Sequence, residues 1–209
     1  ATGQLAAGMT CALWWKAFGF GLLAVLPYII VAYAVGLGIE FIVAQIKHEE
    51  VAEGFLVTGF IIPLIVPINT PLWQVAIAVA FAVVFAKEVF GGTGYNIFNV
   101  ALITRAFLFF AYPSSMTGDK PFIRTEGTWG WDGGHALVDG FSGATQLTQM
   151  ATGTPVTESF WDMVNGLVPG SVGETCIWAI ALGAILLIAT GVASWKTMLA
   201  IFVGGGLTT

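Results

Sequence analysis

Four short stretches of this chain hold residues whose types and spacing could do chemistry. The first is Asp139-Gly140-Phe141-Ser142-Gly143-Ala144-Thr145. By composition alone it is a turn, built of small residues, glycines and short hydroxyls. The second runs Lys87-Glu88-Val89-Phe90-Gly91-Gly92-Thr93-Gly94-Tyr95-Asn96-Ile97-Phe98-Asn99. It lacks the spacing and the preceding strand of a dinucleotide-binding fingerprint. Its glycines could form a backbone nest for an anion, or simply a tight turn between helices. Asn96 and Asn99 share a face if the segment is helical, and their amides offer both donors and acceptors. The third is Arg105, set in the apolar run Ala101-Leu102-Ile103-Thr104-Arg105-Ala106-Phe107-Leu108-Phe109-Phe110-Ala111-Tyr112-Pro113. A charge in such a run is costly and marks a functional position by default. It could bind a phosphate, pair with an acid, or snorkel to an interface. The fourth is Glu40, with Gly36 and Gly38 beside it. Gly36 and Glu40 lie four apart and share a helix face, so glycine would leave a groove next to an ionisable group. A structural glutamate near a helix end is the plainer alternative.

Other chemistry-bearing residues carry less. Cys11 and Cys176 are far apart and form no CxxC pair, so they read as small buried hydrophobes. His48 and His135 have no partner at metal-ligand spacing. Glu174, ahead of a late apolar segment, suits a helix N-terminus.

The elements that must position these residues are apolar helices. The chain has 209 residues, of which 57% are hydrophobic and 9% charged, and a mean hydropathy of +0.87. A soluble domain carries about 25% charged residues, so most of this surface is expected to face lipid or other helices. The net charge of −5 gives no electrostatic case for nucleic acid. Residues 18–46 form the first long apolar segment, and 47–53 a short charged loop. Residues 54–86 are apolar but interrupted by Pro63, Pro67 and Pro71. Each interior proline removes a backbone donor, so two shorter helices joined by irregular backbone are expected. Such backbone is tolerated at membrane depth only inside protein or beside a cavity. Residues 87–99 form a polar connection and 100–112 a short, partial or re-entrant helix. Residues 113–173 form one long polar region, 175–192 another span, and a last span starts after Trp195-Lys196. The expected fold is an all-α integral membrane protein, a multi-spanning helical bundle with broken or re-entrant helices and one long polar loop region. Residues 1–209 make a single transmembrane domain, expected to be a fragment of a longer subunit because it opens on Ala1 and closes in an apolar stretch. Lys47 and Lys196 mark two candidate cytoplasmic ends.

Two motifs carry a family resemblance. The stretch from Asp139 to Thr145 resembles the Asp-Gly-x-Ser-Gly-Ala-Thr signature at which a flavin transferase esterifies FMN phosphate to the last threonine. The run from Lys87 to Pro113 resembles the B subunit of the Na⁺-translocating NADH:quinone oxidoreductases, departing at Val100 and Thr104, where that family has proline and glycine. The likeness extends through residues 49–74 and Gly173-Glu174-Thr175. The D subunit of the Rnf electron-transport complexes is a sister family with the same flavin threonine. The Arg-Ala-Phe-Leu-Phe-Phe-Ala-Tyr-Pro run favours the sodium pump. Residues 121–137, rich in Trp and Gly, are longer than that pattern expects.

The resemblance implies a multi-pass subunit of a six-subunit complex in the bacterial inner membrane. It implies covalent FMN on Thr145, with Asp139, Ser142, Gly143 and Ala144 completing the attachment signature. It also implies a membrane-associated riboflavin, ubiquinone as electron acceptor, Na⁺ as transported ion and a flavin transferase for maturation. Asn96, Asn99 and Arg105 would lie near flavin, and Gly36, Gly38 and Glu40 near the quinone or ion path. Carbonyls freed near Pro63 and Pro67 would supply oxygen ligands to Na⁺. A flavin-free channel or solute transporter is the competing class, because broken helices and intramembrane charges suit it too.

Overall fold

The computed structural model describes residues 11–48, 53–117, 146–153, 159–166, 168 and 170–208, with side chains except at 11–18, 20 and 146–148. Every regular element among them is helical. The first helix, α1 (Cys11–Lys47), runs for 37 residues, about 55 Å at 1.5 Å per residue. It is uninterrupted by acids until Glu40. After the charged loop the chain returns as α2 (Gly54–Ile65). Tyr33 donates from α1 to the Leu56 carbonyl, and Gly36 sits against Phe55, so α1 and α2 are antiparallel.

Helix α3 (Leu72–Ala82) runs alongside α1 in the same direction. Tyr28 meets Thr70 just ahead of its start, and Glu40 meets Lys87 just beyond its end. Ala78, Ala82 and Ala86, one turn apart, are all buried, and such small side chains let helices approach closely. Helix α4 (Val100–Ala111) packs back along α3. Phe107 stacks on Phe81 at 4.7 Å and Trp73 meets Tyr112 edge-on at 5.4 Å. The core lies where these four helices converge, around Phe55, Ile62, Val75, Val79, Val83 and Leu108.

The break expected between 54 and 86 occurs at residues 66–71, between α2 and α3. Helix α3 does not end cleanly. It passes into a π turn (Val83–Lys87) and a 3-10 turn (Glu88–Phe90). Beyond α4, the described residues form α5 (Pro113–Met116), α6 (Gln146–Ala151), α7 (Phe160–Asn165) and α8 (Ile177–Ala189). Helix α9 (Trp195–Thr208) follows. Neither α8 nor α9 contains a buried residue. Phe202 is 83% exposed, although both helices are strongly apolar, as surfaces facing lipid or another protein would be.

Among the described residues, two helical stretches are long and apolar enough to cross a bilayer: Gly21–Lys47 and Leu72–Phe90. The span expected at 175–192 is a helix of 13 residues, short of the roughly 20 a straight crossing needs. Gly173 and Ser171 tie this part of the chain to the bundle, bonding the Leu64 carbonyl at 2.9 Å and the Ile65 carbonyl at 3.3 Å.

Candidate functional site

The helix directions sort the bundle into two ends. One gathers Tyr28, the 66–71 break and Tyr112. The other gathers Lys47, the start of α2, the π turn and the glycine-rich loop. The charged side chains are concentrated at the second end.

Glu40 lies two turns before the end of α1 and is only 3% exposed. The Lys87 ammonium, on the π turn, donates to its Oε1. Glu40 Oε2 is buried and has no hydrogen-bond partner among the described residues. A π turn inserts one residue into a helix and often marks a functional position. Here the Glu88 N–H reaches back to the Val83 and Val84 carbonyls, and Lys87 lies within that widened turn. Its ammonium sits 5.9 Å from the centre of the Phe55 ring, a separation at which a cation is attracted to an aromatic face. The next residue, Glu88, pairs with Lys47 at 3.2 Å. Lys47 also donates to the Glu88 carbonyl at 3.1 Å, capping the helix end. Two ion pairs, linked through the adjacent residues Lys87 and Glu88, thus lie at this end: Glu40 with Lys87, and Glu88 with Lys47. Only Lys47, with its side chain 33% exposed, reaches well towards solvent.

The groove expected beside Gly36 is filled. A Cβ built on Gly36 would fall within the Phe55 ring, and Phe55 is 1% exposed. The glycine makes room for that ring, and no space remains there for a quinone head group. Gly38 has nothing within 4 Å of its own would-be Cβ, so it borders open surface, away from Phe55.

Several carbonyls around the break are engaged by the protein. Leu64 and Ile65 carbonyls accept from Gly173 and Ser171, and those of Ile68 and Thr70 share the single proton of the Tyr28 hydroxyl. Glu40 lies twelve residues from Tyr28 on α1, about 18 Å along the axis. The break and the buried acid are therefore separate features, and the break is closed by Tyr28 and the 171–174 segment.

The glycine-rich loop is the tight turn rather than an anion nest at Gly91 and Gly92. Their amides donate to the Glu88 and Lys87 carbonyls at 3.3 and 3.0 Å, the pattern that ends a helix through a left-handed residue. Gly91 has φ +113° and Gly92 φ +89°, conformations that require glycine. The 92–98 segment is turn rather than helix, so Asn96 and Asn99 do not share a helix face. Asn99 caps α4, its Oδ1 accepting from the Ala101 and Leu102 amides at 2.9 and 3.3 Å. Asn96 donates to the Phe98 carbonyl at 3.1 Å. Arg105 pairs with Glu174 at 2.5 Å, the two side chains 36% and 50% exposed. Of the roles open to Arg105 in the sequence, pairing with an acid is the one the structure displays. Glu174 thus has a specific partner 69 residues away, beyond its place ahead of α8.

Asp139, Ser142, Gly143, Ala144 and Thr145 lie outside the described residues, as does 121–137. Among the described residues, the polar groups expected near flavin already have protein partners. An open apolar groove of about 440 Å³ runs between α3 and α4, lined by Phe81, Ile103, Ala106, Phe107, Phe110 and Ala111. Its side chains offer no donor to a carbonyl.

Sequence reasoning missed Lys87 as a site residue, placing it in a polar connection. The available signal was charge balance. An acid inside an apolar helix calls for a partner cation, and few are at hand in a chain with seven Lys and Arg in all.

Comparison with known proteins agrees with the family resemblance. The NQR2, RnfD, RnfE family matches residues 3–209. The chain belongs to that family. Within the NQR2, RnfD, RnfE family, it is similar to the B subunit of the Na(+)-translocating NADH-quinone reductase of Chromohalobacter salexigens, 43% identical over 198 residues. That alignment covers 93% of this chain and 45% of the relative. The corresponding B subunits from Pseudoalteromonas atlantica and Neisseria meningitidis serogroup B are 42% and 39% identical over 194 and 196 residues. They are covered to 45% and 44% of their lengths, for 91% and 88% of this chain. The chain therefore spans a little under half of these curated relatives.

Proposed function

We propose that this chain is part of a membrane flavoprotein subunit of a Na⁺-pumping NADH:quinone oxidoreductase. In this reading it works in the bacterial inner membrane with the other subunits of a six-subunit complex and ubiquinone as acceptor. The observation that carries it is Asp139-Gly140-Phe141-Ser142-Gly143-Ala144-Thr145 in a chain whose family includes the B subunits of such reductases. The Thr145 hydroxyl would hold FMN through a phosphoester made by a flavin transferase, the small residues before it leaving the phosphate room against the backbone. When bound, FMN supplies electron transfer, while the protein fixes its position and potential. Arg105 and Asn96 serve flavin in this proposal only by leaving Glu174 and the Phe98 carbonyl, their partners in the structure. Riboflavin remains part of the reading through the family alone.

The apolar stretches Gly21–Lys47 and Leu72–Phe90 would be full crossings, with α2 and α4 packed between them as shorter helices. Glu40 is the proposed ligand for Na⁺, because it is a buried carboxylate with one unpartnered oxygen. Sodium takes oxygen donors, and Glu40 is only 3% exposed, which limits access of competing water.

The test uses the full-length subunit in its complex, in sealed membrane vesicles, with NADH-driven uptake of ²²Na⁺ as the readout. Uptake that depends on NADH and quinone, and that stops in Thr145→Ala and in Glu40→Gln, is expected. Uptake independent of NADH would favour a channel. Unchanged NADH-driven uptake in Thr145→Ala would remove the proposed role of the flavin site.

A further inference from the structure

We propose that Lys87 is a tethered internal cation, which holds the Glu40 carboxylate in the resting site and is displaced when a monovalent metal cation binds there. This rests on the reading of Glu40 as a cation ligand and adds the residue that regulates its occupancy.

Geometry and charge balance carry the inference. Glu40 and Lys87 are both nearly inaccessible, their side chains 3% and 6% exposed. A buried ion pair is well compensated only when the remaining lone pairs are also satisfied. Here Lys87 engages Oε1, while the equally buried Oε2 has no partner among the described residues. The carboxylate is thus half-coordinated, with one oxygen poised for a cation that Lys87 does not supply. Lys87 sits on a π turn rather than a regular helix, a local geometry found mostly at functional positions. Lys87 also faces the Phe55 ring, 5.9 Å from its centre, which attracts a cation more weakly than a carboxylate does.

Adding a cation to a neutral buried pair would leave one uncompensated positive charge, which is prohibitive away from water. The neighbouring pair supplies the outlet. When the metal cation takes Glu40, the Lys87 ammonium turns to the carboxylate of Glu88, the adjacent residue. Glu88 then releases Lys47, the most exposed of the four, into water. Each buried carboxylate keeps one cation throughout, and the surplus charge emerges where it is solvated. No bond to carbon or hydrogen is made or broken. One cation enters and one ammonium is handed to solvent.

The experiment measures the half-saturating Na⁺ concentration for NADH:quinone reductase turnover, and the thermal stability of the complex in Li⁺, Na⁺, K⁺ or choline chloride. The complex carries wild-type, Lys87→Met, Glu88→Gln or Glu40→Gln/Lys87→Met subunit. Removing the internal competitor in Lys87→Met is expected to lower half-saturating Na⁺ by about tenfold, within the range of ordinary site coupling. It should also make stability depend on metal cation more steeply than in wild type, because the bare Glu40 charge then needs one. Glu88→Gln, which leaves the Glu40–Lys87 pair intact but removes the landing site, should raise half-saturating Na⁺. The double variant should lose the cation-dependent stabilisation. If Lys87→Met fails to assemble in choline but assembles in Na⁺, the proposal is supported. The pair is a fixed strut, and the proposal is overturned, if Lys87→Met and Glu88→Gln leave half-saturating Na⁺ unchanged and Lys87→Met gains no more stability from metal cations than wild type. Wild-type turnover that ignores Na⁺ would overturn the functional reading. The stability series would still decide whether Lys87 guards a cation site.

Discussion

Replacing Gly36 by alanine tests whether the buried charge cluster is built on the Phe55 ring. A methyl group at position 36 would fall within that ring. The ring has little freedom to move, being 1% exposed, with Tyr33 edge-on at 6.5 Å and Gly59 against its edge. Overpacking of this kind costs about 1–3 kcal/mol, and the depth of the overlap puts Gly36→Ala near the top of that range. Alanine regains up to about 1 kcal/mol of helix propensity over glycine. The net loss expected is about 2 kcal/mol, read as a lowered melting temperature. The measurement is a double-mutant cycle on the full-length subunit in detergent, with Gly36→Ala, Phe55→Leu and the pair. Phe55→Leu alone should destabilise, since it removes buried ring volume and the surface under Lys87. The pair should melt well above the sum of the single effects, with a coupling of about 2 kcal/mol. Additive effects, or a Gly36→Ala subunit as stable as wild type, would refute the close seating of Phe55 against α1 and the support it gives Lys87.

Two further substitutions probe the frame around the cluster. Asn99→Ala should cost about 0.5–2 kcal/mol by uncapping α4, whereas Asn99→Asp should retain most of that stability. A thermal-shift comparison of the two checks it, and equal losses would contradict a capping role. Tyr28→Phe removes the hydroxyl that closes the 66–71 break on the Ile68 and Thr70 carbonyls. The expected loss is about 1–3 kcal/mol, with faster limited proteolysis at the break, and unchanged cleavage there would contradict the anchoring.

Local features were legible in the sequence, while the tertiary pairings stayed hidden. Pro67 and Pro71 announced the interruption, because a missing donor and a fixed φ act locally, whereas Pro63 is accommodated inside α2. Arg105 stood out because a charge in an apolar run is conspicuous wherever it folds. The Lys87–Glu40 pair spans 47 residues and Arg105–Glu174 spans 69, and no local periodicity encodes either distance. The space beside Gly36 illustrates the same limit. Helical spacing correctly put Gly36 on the Glu40 side of α1, but only the register of α2 determines that Phe55 occupies it. Likewise the engagement of the Leu64, Ile65, Ile68 and Thr70 carbonyls by the distant Gly173, Ser171 and Tyr28 is not written in the local sequence. The glycines of the 91–94 turn allow two local structures equally, and the helix end they close is what decides between them.

The central claim is that this chain carries flavin on Thr145, and the most direct measurement is the mass of the peptide containing it. The full-length subunit, from cells that express the flavin transferase, is run on a denaturing gel, viewed for flavin fluorescence and digested. The account predicts a fluorescent band and a peptide heavier by FMN less one water, both lost in Thr145→Ala. An unmodified Thr145 peptide and a dark band from those cells would contradict it.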